Sequence, residues 1–185
     1  MGGKYAFNDG YDDIYFITCT AIRWIDIFTR DIYRQIILDS LSYSQQHKGL
    51  NVFAWVIMSN HIHLIVSRRG DVPLGMIIGA FKSYTAKRVR DALMASEDER
   101  RKDWLLYMFE YAGMHNHNNK EFQLWRQDGS YPVPLKNREM LLQALDYTHL
   151  NPVRAGYVYE PQNWRWSSAT DYCGQQGLLS DLILI

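Results

Sequence analysis

Two apolar runs, Leu50 to Met58 and Ile62 to Ser67, are separated only by Ser59-Asn60-His61, a gap short enough to close an antiparallel hairpin. In His61-Ile62-His63-Leu64-Ile65-Val66 the strand period of two sends His61, His63 and Ile65 to one face and Ile62, Leu64 and Val66 to the other. Two imidazoles therefore point the same way, their Cβ atoms roughly 7 Å apart on a rise of ~3.3 Å per residue. Side chains leaning inward across that separation can share one metal ion, although two ligands alone leave an ion under-coordinated. A pair of histidines packed in an ordinary hairpin fits the same spacing.

The flanking segments extend this hairpin into a fold. Ile14 to Thr20 is β-branched and aromatic and reads as a first strand. Residues 29 to 48 then take a helical period, with Ile32, Ile36, Ile37 and Leu41 recurring behind Thr29 as N-cap and His47-Lys48-Gly49 as a basic end and stop. After the hairpin, Pro73 opens a helix to about Ala95, with Leu74, Ile77, Ile78, Phe81 and Tyr84 inward and Lys82, Lys87, Arg88 and Arg90 elsewhere. Residues 96–120 are polar and mixed in charge around Trp104 to Phe109, which predicts an insertion holding one short helix. Phe122 to Leu135 suggests one or two short strands around Asp128-Gly129, with Pro132 and Pro134 confining the second half to an edge. Lys136 to Leu150 is helical again, stopped by Asn151-Pro152, and a tail rich in Trp, Ser and Tyr covers the remaining surface.

The order β-α-β-β-α-(insert)-β-α is the split βαβ plan: an α+β, ferredoxin-like antiparallel sheet with an added C-terminal helix. At 185 residues, the chain from 1 to 185 is expected to form a single domain. That plan hosts many functions, so the site must decide.

Composition removes several classes. Lys and Arg number 20, as do Asp and Glu, and a net charge of zero argues against a protein that coats nucleic acid or membranes. Any nucleic-acid contact must be local. Cys19 and Cys173 lie far apart, so neither a zinc ribbon nor a disulfide framework can be built, and a cytoplasmic setting is expected. The first residues lack a signal pattern and no run approaches the ~18 apolar residues of a membrane span, so no membrane partner is expected.

A third ligand and a reactive group are available before Asn151-Pro152. Tyr147 and Asn151 are four residues apart and share a helix face, so packing that face over His61 and His63 would complete a two-histidine, one-oxygen site with a tyrosine one turn away. Gln143, at the opposite offset of four, is the rival third ligand. His149 lies about 200° round the helix from Tyr147 and faces elsewhere. Tyr84 is a competing nucleophile because it sits among cations, although its spacing with Ile77 and Phe81 favours core packing. A second pair, His115 and His117, lies in a polar segment with no strand period to aim both rings, which predicts an exposed loop.

Trp55 to Ile65, Phe81 to Thr85, Phe122 to Trp125, Asp146 to Gly156 and Trp164 to Ser168 occur together in this order, and the set resembles the REP-associated tyrosine transposases, a branch of the single-tyrosine HUH transposases. The resemblance spans roughly residues 14 to 172. It implies that His61 and His63 ligate a metal, that Tyr147 is the nucleophile, and that Asn151 is the polar third ligand. It also implies cleavage and rejoining of single-stranded DNA beside hairpin-forming palindromes, through a 5′-phosphotyrosine and without ATP. The residue types make such chemistry intelligible: a phenolate is a competent leaving group, and a hard cation, Mg²⁺ or Mn²⁺, would polarise the phosphate. Lys82, Lys87, Arg88, Arg90 and Arg154 are then candidates for the DNA backbone, in a protein acting as monomer or homodimer. A hydrolytic metallonuclease, or a domesticated hairpin-binding protein without catalysis, would use the same residues differently.

Overall fold

The computed structural model describes residues 13–116, 121–127 and 132–185. Strands β1 (Tyr15–Thr20), β2 (Leu50–Ile57), β3 (His61–Arg68) and β4 (Val133–Pro134) form an antiparallel sheet in the order β2-β3-β1-β4. This is the ferredoxin-like order, with β3, the strand that carries the histidines, paired on both sides. Alternation explains its two faces. Ile62, Leu64 and Val66 join Ile17 and Cys19 of β1 beneath helices α1 (Asp31–His47) and α2 (Leu74–Ala95), which contribute Ile37, Leu41, Ile77 and Phe81 to one core. Each such side chain, fully withdrawn from water, contributes about 1.5–3 kcal/mol. Helix α3 (Lys102–Met114), from the segment read as an insertion, adds Leu105 and Phe109 to the same core.

The opposite face carries a smaller cluster. Phe53, Ala54 and Ile65 of the sheet pack against Leu145 of α4 (Arg138–Arg154), which thereby lies across the histidine face of β3. Asn137 caps α4, its side chain accepting from the Met140 N–H at 2.9 Å. Beyond α4, the tail forms a one-turn helix, α5 (Ala169–Tyr172), and pairs with β2: Ile57 N–H donates to Trp166 O and Ser168 N–H to Trp55 O. Among the described residues no helix is long and apolar enough to cross a membrane. Both cysteines are free, Cys19 buried and Cys173 exposed.

Three expectations are corrected. Helix α1 starts at Asp31 with Arg30 as N-cap, because the Thr29 hydroxyl is engaged by Arg101 Nη2 at 3.0 Å instead of capping. Tyr84 is not inward but 54% exposed; the buried stripe of α2 runs Phe81, Thr85, Val89, Leu93, with Thr85 in the place assigned to Tyr84. Its hydroxyl tolerates burial by donating to Phe81 O and accepting from Trp125 Nε1.

Helix α4 does not stop at Asn151-Pro152 but runs through Pro152 to Arg154. Proline there forfeits only one hydrogen bond close to the helix end. The last turn is closed by Gly156 N–H to Val153 O and Tyr157 N–H to Pro152 O, with Gly156 at φ +74. Phe122 to Leu135 gives, as expected, a short edge strand, β4, and among the described residues one further bridge, Ala21 with Trp125. Asp128-Gly129 lies outside the described residues.

Candidate active site

The face shared by His61 and His63 opens into a cavity of about 320 Å³, lined by Thr18, Thr20, Trp24, His61, His63, Arg126, Tyr147 and Asn151. Antiparallel pairing sets Thr18 opposite His63 and Thr20 opposite His61, so two hydroxyls of β1 border the two imidazoles. Their ring centroids are 4.7 Å apart, one edge facing the other. Helix α4 brings Tyr147 to 5.1 Å from the His63 ring, and Asn151, one turn on, contacts the His61 ring through its side-chain amide.

Hydrogen bonds set which nitrogen of each ring is available. Asn60 donates its amide to Asp26 Oδ1 at 3.0 Å and to Trp24 O at 3.3 Å, leaving its Oδ1 to accept from His61 Nδ1 at 2.7 Å. The proton therefore sits on Nδ1, and Nε2 presents a lone pair. Ser59 Oγ also donates to Asp26 Oδ1 and accepts from Tyr157 OH, extending the support outward. His63 Nδ1 lies 2.9 Å from Thr18 Oγ1, while its Nε2 is buried with no hydrogen-bond partner. A buried, orphaned imidazole nitrogen is unfavourable unless something binds it. Burial pushes both rings below the ordinary histidine range, His63 to about 3 with the charge of His61 as second cause, and the Asn151 contact opposing the effect at His61. Both are neutral at pH 7, the form that ligates a cation, and the pair with the Asn151 amide fits a divalent metal. Among the described residues no group of three or more His, Cys, Asp or Glu is assembled, so a third ligand from this chain would be an amide or hydroxyl.

Other expected site residues fall elsewhere. Gln143 is exposed, donates to Glu139 Oε1 at 3.2 Å and does not line the cavity. His149 is buried on the far side of α4, with Nε2 2.9 Å from Ser168 Oγ. Lys82, Lys87 and Arg90 line a different depression, and Arg88 pairs with Asp91 at 3.7 Å. Arg154 stacks its guanidinium 5.4 Å from the Tyr147 ring centroid, so Tyr147, Asn151 and Arg154 form one stripe of α4. His115 is exposed and bonded to Tyr111 O, and His117 lies outside the described residues.

Sequence reasoning missed Thr18, Thr20, Trp24 and Arg126. Thr18 was legible, because β1 alternates as β3 does. Trp24 was not: it follows Arg23 in a turn where both residues take positive φ, 57° and 52°, a strained conformation for side chains of this size that sets the Trp24 ring edge-on to His61 at 5.6 Å.

The profile described as "Transposase IS200 like" matches residues 13–119, more than half of the chain. The chain belongs to the IS200-like transposase family. Among solved structures, one described as a REP-associated tyrosine transposase bound to a REP hairpin superposes with a TM-score of 0.62 at 16% identity, covering 99% of this chain and 92% of that one. At that identity the likeness concerns the fold. No curated protein sequence matches. The family match takes in the histidine strand of this IS200-like transposase and ends before α4, so the placement of Tyr147 and Asn151 rests on the geometry above.

Proposed function

We propose that this IS200-like transposase cleaves and rejoins single-stranded DNA next to hairpin-forming palindromes, with Tyr147 as nucleophile and a 5′-phosphotyrosine as intermediate. The observation that supports this reading is the meeting, in one cavity, of two neutral imidazoles, that of His63 with an unpartnered Nε2 and that of His61 beside Asn151, and a half-exposed tyrosine one helical turn from that amide. His61 and His63, through Nε2, and Asn151, through its side-chain carbonyl, would hold Mg²⁺ or Mn²⁺. Such a cation, when bound, polarises the scissile phosphate and offsets the charge that develops on it.

Tyr147 Oη attacks phosphorus and loses its proton, the P–O3′ bond breaks, and the departing O3′ takes up a proton. The phosphodiester bond has been exchanged for another rather than hydrolysed, so a second 3′-OH can attack, expel the phenolate and restore Tyr147 without ATP. Arg154 holds the ring from the same helix, its cation against the π face. Fixed on a helix, the hydroxyl needs a phosphate whose neighbouring nucleotides can splay, which favours single strands over duplex. Preference for hairpins is carried over from the REP hairpin bound by the structural neighbour. All these groups come from one chain, so a monomer suffices, and a homodimer would hold two such sites. A DNA substrate fits a cytoplasmic location.

Incubation with a 5′- and 3′-labelled hairpin substrate, followed by a denaturing gel, tests the proposal. Protein attached to the 5′ end of a cleaved strand is the expected result. Cleavage without attachment would instead indicate a hydrolytic metallonuclease, and hairpin binding without cleavage a non-catalytic binding protein.

A further inference from the structure

A larger depression, about 700 Å³, lies between α2 and residues 121–127. The chain at Arg126 reaches from it to the histidine–tyrosine cavity: Arg126 lines that cavity and donates its N–H to Thr20 O, while its carbonyl accepts from Lys82 Nζ at 3.3 Å on the other side. Residues 121–127 run antiparallel to α2, since Arg126 meets Lys82 at one end and Glu121 meets Arg90, at 3.2 Å, at the other.

Charge is distributed unevenly along this groove. At the far end Glu121 pairs with Arg90 and Asp91 with Arg88, so those charges largely cancel. At the end next to the catalytic cavity stands Lys82, and the exposed Lys87 lies about 7.5 Å farther along the helix at ~1.5 Å per residue, just before the paired charges. Between them Ser83 and Ala86 keep the helix surface low, and a side chain added at Gly79 would meet nothing within 4 Å. The size lies within the ~300–1,000 Å³ of small-ligand pockets, room for a few nucleotides of one strand.

We propose that this groove carries the single strand flanking the cleavage point: the DNA leaves the cavity over Arg126 and sets two phosphates against Lys82 and Lys87. The inference rests on the proposed DNA-cleaving function and adds where the strand goes. It also supplies what a chain of zero net charge lacks overall, a local cationic track joined to its reaction centre.

The test measures affinity for hairpins with long single-stranded flanks and for the same hairpins trimmed on one side or the other, using the wild type, Ser83→Glu, and the double variant Lys82→Ala/Lys87→Ala. Ser83 is exposed on α2, so its replacement spares the fold, which circular dichroism verifies. Trimming one particular flank is expected to weaken wild-type binding about tenfold, and both variants to bind the long substrate no better than the trimmed one. The double variant should also lower the slope of log K against log salt by about 1.4, two phosphates at ~0.7 each. Wild-type affinity insensitive to either flank, or variants that weaken long and trimmed substrates alike, would overturn the groove. Covalent attachment is scored on the long substrate in parallel. Attachment without flank dependence defeats the groove alone, whereas flank dependence without attachment supports the groove and defeats the catalytic proposal.

Discussion

The ring of Tyr147 stands edge-on to the ring of His63, 5.1 Å between centroids, and Phe16 braces the same tyrosine from β1 at 5.8 Å. A hydroxyl on a ring held between two aromatic neighbours and a guanidinium has its direction set before any substrate arrives.

Tyr147→Phe keeps that packing and removes only the hydroxyl. Covalent attachment to DNA should vanish and cleavage fall by at least about 10⁴-fold, the scale of losing a nucleophile, while hairpin affinity is retained. Tyr84→Phe, on the exposed side of α2, should attach to DNA at the wild-type rate. Labelled-substrate gels and a binding titration check both; an adduct formed by Tyr147→Phe would assign the nucleophile elsewhere.

His61→Ala and His63→Ala should each abolish divalent-cation-dependent cleavage and Mn²⁺ binding by calorimetry, with the fold preserved. Asn151→Ala should lie between these and the wild type, its activity partly recovered at higher metal concentration by mass action. Gln143→Ala should leave metal binding untouched, since Gln143 lies outside the cavity. The opposite ranking of Asn151 and Gln143 would reassign the third ligand.

Asp26→Ala removes the acceptor that orients the Asn60 amide, and with it the bond that keeps the proton of His61 on Nδ1. Mn²⁺ affinity should drop about 10–100-fold, the usual cost of losing an outer partner of a metal-bound histidine, and cleavage should recover at saturating metal. Imidazole ¹⁵N shifts provide an independent readout, with His61 populating both tautomers in the variant and one in the wild type.

Burial of His149 lowers its pKa to about 4 from an ordinary 6.5, against an opposing pull from Asp146. Because the folded value lies below the unfolded one, the unfolded chain binds the proton first as the medium acidifies. The stabilisation is fully present above about pH 6.5 and is lost as pH falls through about 4. Thermal melts between pH 7 and pH 4 should show this loss in the wild type and a shallower one in His149→Gln, which cannot take a charge. Equal slopes would place the acid sensitivity elsewhere.

How far the sequence spoke for itself depended on regularity. The alternation in β3 and the offset of four in α4 fix where His61, His63, Tyr147 and Asn151 point once each element exists, and the strand order follows from short connections. Tyr84 was misread because helical spacing admits two neighbouring stripes, and only the partner, here Trp125 reaching Thr85, selects between them. Pro152 was misread because a proline's effect depends on what closes the turn after it. Arg126 and Trp24 lie in irregular chain whose direction comes from bridges to β1 and from the Asn60 network, information held by no local pattern.

The pairing of the tail with β2 has a consequence for association. The exposed flank of a sheet is normally a template for a stranger's backbone, and here residues 166–168 already occupy that of β2. On the other flank, β1 is covered by β4 and by the chain around Trp125, and β4 offers two residues, one of them a proline with no N–H to give. Among the described residues, both flanks of the ladder are thus covered in part. A chain shortened before Trp166 would therefore expose a sticky margin on β2 prone to aggregation.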